Sequence, residues 1–239
     1  DGRVRTSYYQ VETGRRSSSK PNLQNIPRDA RVKRVFVAAP KHLFIMNDYK
    51  NLEVRIAAVL SGDESLIGAF LAGKDIHAVV ASLAYERDYG EAAAVLAGGA
   101  SELKQKYAAE RQTAKSAMFA FLYGASDDKL ALALGVEVAL AVRVKESILS
   151  AFPKLAKMFD NLQDRAVRLG YAENAFSRRR YLTGLRSERR AIVNEALRKA
   201  LNTPIQSTAA DITLTAATRL EKRLVKLGLR AGLELEIHE

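Results

Sequence analysis

The sequence predicts an α+β fold, a mostly helical body around a few strands. Three observations point there. Most of the 239 residues fall into segments of helical spacing closed by Gly or Pro. Only three short runs read as strands: Val32–Val37 and Leu43–Asn47, which are apolar and β-prone, and Leu233–His238, which alternates. Hydrophobic residues make up 48% of the chain, enough for a core in one large domain or two small ones.

Residues 1–29 are polar, basic and rich in Gly, Pro, Asn and Ser, the composition of a structured loop. The first two strands follow, and Asp48 stands just after the second. A helix is predicted over Leu52–Leu60, ended by Gly62, with others over Glu64–Leu71, Ile76–Ala84 and Ser101–Leu122. The Ala- and Gly-rich stretch Gly90–Gly99 fits either a short helix or a surface loop. Helices continue over Asp127–Leu134, Val136–Ser150 and Pro153–Gly170. Gly170–Ser177 and Arg178–Leu182 read as a small hairpin, and Glu188–Leu201 is helical again. At Thr203 a capping residue is followed by Pro204 and then Gln206, a capping-box pattern that predicts a new helix running to about Leu227. Gly228 and Gly232 end it before the last strand. No internal repeat is found. The sequence opens at Asp1 and Gly2 in turn-like composition and stops at Glu239, straight after a strand. A fragment of a longer protein is therefore expected.

Lys and Arg number 38 against 27 Asp and Glu, for a net charge of +11. A field of that sign favours a polyanionic partner, nucleic acid first and an anionic membrane surface second. No apolar run reaches the roughly 20 residues of a membrane span. The absence of cysteine excludes a disulfide framework and any thiolate metal site, and fits a reducing compartment.

Arg111, Lys115, Phe119 and Tyr123 recur at a strict four-residue interval, with Gly124 closing the run. At helical pitch they share one face. Two cations a turn apart suit the phosphates of a nucleotide, and a ring further along can stack on its base. The plainer alternative is an amphipathic helix with a snorkelling basic edge.

Asp48 ends the apolar run Leu43 to Met46. A carboxylate at the tip of a buried strand must be paired, hydrogen-bonded or metal-bound; the alternative is an N-cap on the following helix. Glu53 and Arg55 follow, and Glu239 ends the other strand after His238. If those strands are neighbours, the two carboxylates can share a divalent cation, and hard oxygen ligands suit Mg²⁺. His77 near a helix start, Gln206 in the capping box and Asn202 at a helix end each have structural alternatives.

Asp48, Tyr49, Glu53 and Arg55 at this spacing resemble motif A of the family A DNA polymerases. The Arg111, Lys115, Phe119, Tyr123 and Gly124 series is similar to motif B, the family's fingers helix. Thr13-Gly14-Arg15, Ser17-Ser18-Ser19 and the run Pro21 to Pro27 resemble a family hallmark. So do Asp75-Ile76-His77, and Arg198 with Asn202, Pro204, Gln206 and Ala209-Ala210-Asp211. Ile237 and His238 resemble the start of motif C. The motifs stand in the family's order over essentially the whole chain.

The resemblance implies helix-rich fingers attached to a small antiparallel palm sheet. Residues 1–62 would be the first palm part, with a primer/template-binding loop and motif A. Residues 63–185 would be the fingers, including a nucleotide-binding helix over 101–122, and 186–239 the second palm part, cut at motif C. It implies Asp48 and Glu239 as catalytic carboxylates holding two Mg²⁺ ions, helped by the Tyr49 carbonyl. Glu53 would be the gate against a ribose 2′-OH. His77, Arg111 and Lys115 would bind the triphosphate, Phe119 would stack on the incoming nucleotide, and Tyr123 would close the templating pocket. Arg15, Asn22, Gln24, Asn25, Arg198, Asn202, Gln206 and His238 would touch DNA. The implied partners are primer–template DNA and deoxynucleoside triphosphates, with a cytoplasmic monomer and no membrane.

The family's motif C reads His-Asp-Glu, whereas here His238 is followed directly by Glu239. Mg²⁺ tolerates displaced ligands poorly, so weak catalysis by this chain is expected. Lys50 and Ser207 stand where cellular members carry small residues, which points to a phage-like or divergent branch. A non-catalytic nucleic-acid-binding module derived from a polymerase is the main alternative. A single-subunit RNA polymerase is the second, disfavoured by Glu53. Phe119 has no hydroxyl to replace a missing 3′-OH, so poor use of dideoxynucleotides is implied.

Overall fold

The computed structural model describes residues 2, 4–27, 29–85 and 108–232. They belong to two compact units, Asp1–Leu52 with Gln206–Glu239, and Glu53–Ile205.

The first unit opens with a hairpin of β1 (Ser7–Gln10) and β2 (Arg16–Ser19), antiparallel with Ser7 opposite Ser19. Gly14, at φ +85°, makes the turn. Its N–H donates to the Val11 carbonyl at 2.8 Å, and the Val11 N–H donates to the Arg15 carbonyl at 2.9 Å. The sequence reading treated this segment as loop only. All four residues of β1 are exposed, so no buried face writes an alternation into the sequence. A 3₁₀ turn, Leu23–Asn25, follows, with Asn22 Oδ1 accepting the Gln24 N–H at 3.0 Å.

Two expected strands do not form. Where Val32–Val37 was predicted extended, α1 (Ala30–Lys33) makes a helical turn. Asp29 starts it: its Oδ1 accepts the Arg31 N–H at 2.8 Å, and its carboxylate pairs with the Arg31 guanidinium at 2.6 Å. Residues 42–49 have no regular structure, and Leu43, Ile45 and Met46 are more than 80% exposed. A strand exists only through cross-strand hydrogen bonds, and β-prone side chains do not supply those by themselves. Among the described residues none pairs with this segment. The third expected strand, Leu233–His238, lies outside the described residues, as do Gly90–Gly99 and the first part of the helix expected from Ser101.

The second unit holds the helical body. It contains α2 (Leu52–Ser61), of which all but the first residue belongs here, α3 (Glu64–Leu71), α4 (Ile76–Ala84) and α5 (Ala108–Leu122). Next come α6 (Asp127–Leu134), α7 (Val138–Ala151) and α8 (Pro153–Leu169). These bounds agree with the periodicity to within two residues wherever both ends are described. α4 packs on α5 and α7, and α6 packs on α5 and α7. Val54, Leu66, Ile76, Met118, Leu122 and Ile148 are fully buried between them.

One carboxylate ties two helices of this body. Asp63 is 1% exposed. Its Oδ1 accepts the Leu66 N–H at 3.0 Å, capping α3. Its Oδ2 accepts the Lys154 N–H at 2.9 Å, in the first turn of α8. Both ends would otherwise bury an unsatisfied backbone donor.

The hairpin of β3 (Tyr171–Glu173) and β4 (Arg179–Tyr181) forms as predicted, with Tyr171 opposite Tyr181. It is followed by α9 (Arg190–Lys226). The expected helix break at Thr203 is absent, and Pro204 lies inside this 37-residue helix. Thr203 does not cap a new helix; its hydroxyl donates back to the Lys199 carbonyl at 2.7 Å. That bond is the i−4 pattern of a helix interior. Pro204 removes one N–H, which the packing of buried Leu201, Thr203 and Ile205 outweighs.

Asp63→Ala removes both caps. We expect it to lower unfolding free energy by about 2–4 kcal/mol in urea denaturation. Asp63→Asn, which keeps one acceptor, is expected to cost less than half of that.

Candidate functional site

The rotation of α5 is fixed by the residues it buries. Ala114, Ala117, Met118, Phe121 and Leu122 form its inner face. Arg111, Lys115, Phe119 and Tyr123 run beside that face and are all half-buried. The stripe therefore lies along the seam between core and solvent, where the body of a side chain packs and its polar end stays accessible.

α4 brings His77 to this seam. Its ring centroid is 6.2 Å from that of Phe119, and Phe119 is 6.3 Å from Tyr123. The Lys115 ammonium sits 6.0 Å from the Phe119 ring. α2 brings Glu53, which is buried, and the Tyr123 hydroxyl donates to its Oε2 at 2.5 Å. Gly124 then turns the chain at φ +67°. A Cβ there would stand 3.0 Å from Leu201 Cδ1 and 3.4 Å from Arg198 Cγ, so only glycine fits both the backbone and the neighbours. That close approach sets half-buried Arg198 beside the end of α5. Asn202 is one turn further along α9, with its Oδ1 buried and unpartnered among the described residues.

Asp75 belongs to the Asp75-Ile76-His77 motif, for which the resemblance implies a role only at His77. Asp75 precedes α4 and caps it: its Oδ1 accepts the His77 and Ala78 N–H groups at 3.0 and 3.1 Å. Its Oδ2 takes the Arg111 Nε and Nη2 at 2.8 and 2.7 Å. Burial alone would raise its carboxyl, but the hydrogen bonds and charge of Arg111, with the Ala78 N–H, hold it below the usual carboxylate range. The motif and the cap position before α4 mark the residue, but neither shows its contact with Arg111.

His77 is fully buried. Burial pushes its pKa down to about 4; Asp75 opposes the shift, and the charges of Arg111 and Lys115 add to it. At neutral pH the imidazole is uncharged, so it acts as a hydrogen-bonding group and not as a third cation.

The remaining expected site residues sit in the first unit and are described separately. Arg15 lies at the β1–β2 turn. Asn22 is exposed and accepts from Ser18 Oγ as well as from Gln24 N. Gln24 is buried, and its amide donates to the Arg16 carbonyl at 2.8 Å, so its side chain holds the hairpin segment together. Asn25 is exposed. Asp48 and Tyr49 are exposed in irregular chain, not at the tip of a buried strand, and α2 begins only at Leu52, past the position next to Asp48 where a cap would start it. Gln206 follows Asn202 by one helical turn on α9. His238 and Glu239 lie outside the described residues. Among the described residues no group of three acidic or histidine side chains converges on a metal position, and no helix is long and apolar enough to cross a membrane.

The helical body thus sets a basic, aromatic seam beside the buried carboxylates of Glu53 and Asp75. The chain belongs to DNA polymerase family A, whose sequence model matches residues 1–239. It is 39% identical over 247 residues to DNA polymerase I of Chloroflexus aurantiacus, covering all of this chain and 24% of that protein. It is 36% identical over 244 residues to the thermostable DNA polymerase I of Thermus thermophilus, covering 27% of it. The chain thus spans about a quarter of the length of these curated relatives. A solved structure, the POL domain of Pol1 from M. smegmatis in complex with DNA primer–template and dNTP, superposes with a TM-score of 0.82 at 34% identity. That match covers all of this chain and 41% of the other.

The depressed pKa of His77 gives a pH signature. The unfolded chain protonates His77 near its ordinary value of about 6.5, whereas the folded chain does so near 4. Between those values the unfolded state binds more protons, so stability is full above the upper value and is lost as pH falls toward the lower one. We expect a loss of about 3 kcal/mol from this group across the window. Urea denaturation at pH 7 and pH 4.5 measures it. His77→Gln should remove that part of the slope, and equal slopes in the two proteins would rule it out.

Proposed function

We propose that this chain is the palm and fingers of a template-directed DNA polymerase, with palm over 1–62 and 186–239 and fingers over 63–185. One observation carries the reading: the half-buried series Arg111, Lys115, Phe119 and Tyr123, joined at the same seam by His77 and by Glu53. Two cations one turn apart suit a triphosphate, and neutral His77 adds an N–H donor to a phosphate oxygen. Phe119 offers a face for stacking beside them. Glu53, held by Tyr123, blocks a sugar 2′-OH by contact and so favours deoxyribose. Tyr123 closes the templating pocket.

The reaction is phosphoryl transfer. The primer 3′-hydroxyl gives up its proton to water as its oxygen bonds to the α-phosphorus of a deoxynucleoside triphosphate, the bond from that phosphorus to the α,β-bridging oxygen breaks, and pyrophosphate leaves. Arg111 and Lys115 balance the charge that grows on the leaving group, so their contribution is positioning and electrostatics. On the DNA side, Arg15, Asn22 and Asn25 are the contacts of the N-terminal loop, which Gln24 braces. Arg198, Asn202 and Gln206 form a contact line along α9, with His238 near the primer end.

Family A DNA polymerases are metal-dependent. The Asp48 carboxylate and the Tyr49 carbonyl are oxygen donors of the kind a hard divalent cation takes, and both residues are exposed. We assign Mg²⁺ to them, with Glu239 as the second carboxylate and two ions in all. When bound, the ions acidify the attacking hydroxyl and stabilise the leaving oxygen. The partners are primer–template DNA and deoxynucleoside triphosphates, and the setting is a cytoplasmic monomer.

Equilibrium dialysis with labelled dATP tests the nucleotide face directly. Lys115→Ala and Phe119→Ala should each raise Kd by about tenfold, and unchanged binding would sink the assignment. In primer extension with Mg²⁺, this chain should give only weak synthesis, since Glu239 follows His238 directly, and Asp48→Ala should abolish what remains; robust processive synthesis by the chain would refute the impairment. Glu53→Ala should admit ribonucleotides, and continued exclusion of ribose would remove the gate role.

A further inference from the structure

We propose that Asp75 is a positioning residue for the triphosphate: it grips one edge of the Arg111 guanidinium so that the other edge is presented to phosphate, in register with His77. The inference rests on the nucleotide-binding reading of the α5 seam and extends it to a residue that binds no ligand itself.

The geometry divides the work of the carboxylate between its two oxygens. Oδ1 accepts two backbone N–H groups, of His77 and Ala78, and so fixes the first turn of α4. Capping needs nothing more. Oδ2 is turned to α5, 36 residues away in sequence, and receives both Nε and Nη2 of Arg111. Those two donors form the side edge of the guanidinium. Asp75 leaves to other partners the end edge, formed by Nη1 and the second hydrogen of Nη2. That end edge is the fork that takes two oxygens of a phosphate. Asp75 is 3% exposed and Arg111 24%, so the gripped edge is inside and the arginine as a whole reaches the surface.

Electrostatics makes the arrangement informative. An anion beside Arg111 weakens its raw attraction for another anion. A buried carboxylate placed there helps ligand binding only if holding the long side chain in one orientation outweighs the lost charge. A freely rotating arginine must be ordered at the moment of binding, and that ordering costs affinity. The same residue sets the backbone of His77, so the donor from α4 and the fork from α5 are fixed by a single group.

Asp75→Asn separates the two jobs. It keeps an acceptor for the α4 cap and replaces the acceptor facing Arg111 with an amide. The experiment is equilibrium dialysis of labelled dATP against the chain, with inorganic tripolyphosphate as competitor, alongside thermal unfolding. We expect Asp75→Asn to raise Kd for both by about tenfold, and to change it less than about twofold in an Arg111→Ala background. Tighter or unchanged binding in Asp75→Asn, while Arg111→Ala still loses affinity, overturns the positioning role alone. An equal loss in both backgrounds does so too, because Asp75 then acts through general folding. If Arg111→Ala binds as the wild type does, the nucleotide reading of the seam fails first, and this proposal with it. Arg111→Lys provides a check that leaves Asp75 in place. It keeps the charge but has no edge to grip, and should bind as weakly as Asp75→Asn; wild-type affinity there overturns the proposal.

Discussion

The burial of one face of α5 is the constraint on which the site depends. Ala114, Ala117 and Met118 are completely excluded from solvent. Two of the three are alanines, so the helix lies close to its neighbours and cannot turn about its axis without opening a void. With the rotation fixed, the position of every other residue on the helix follows from pitch. Arg111, Lys115, Phe119 and Tyr123 fall beside the packed face because their phase on the helix puts them there. The cations and rings then need no loop to aim them. They inherit the rigidity of the core, which is how a scaffold keeps charged groups in a defined geometry.

Around that helix the polar contacts form a short chain of dependence. Glu53 is buried and is met by the Tyr123 hydroxyl. Asp75 is buried and is met by Arg111. The two carboxylates that α2 and the start of α4 bring inward are each answered by a residue of the α5 stripe. A buried carboxylate without such a partner is strongly unfavourable. The same side chains thus hold three helices together, which is a structural role whatever the stripe binds.

Much of this was legible in the sequence, and the losses have physical causes. Helices α2, α5, α7 and α8 declared themselves because each buries one face over two or more turns, which writes a period into the residues, and the short α3 and α6 because Gly residues close or flank them. Pro204 misled because its local rule, a break, is weaker than the tertiary packing of Leu201 and Ile205 on either side. Val32–Val37 and Leu43–Asn47 misled because β propensity describes side chains that suit a sheet and says nothing about whether a partner strand is there. The β1–β2 hairpin was missed for the opposite reason, having backbone pairing with no buried apolar residue on either strand. In the site, the stripe was readable by spacing, whereas His77 and Asp75 stood out only through the resemblance of their motif. The pairing of Asp75 with Arg111 was not readable, because the partner is a residue of another helix, and no local pattern encodes a contact of that range.

The double cap made by Asp63 has a topological consequence. Its carboxylate begins α3 and also receives the first turn of α8, 91 residues later, at 2.9 Å. The chain therefore departs and returns at one point, and everything from Glu64 to Pro153 is an excursion with its two ends pinned together. The excursion is itself packed: α4, α5, α6 and α7 lie within it, and Tyr123 reaches back to Glu53 of α2. Asp63 thus closes a ring of packed helices at one buried carboxylate, and losing that group frees the start of α3 and the start of α8 at once.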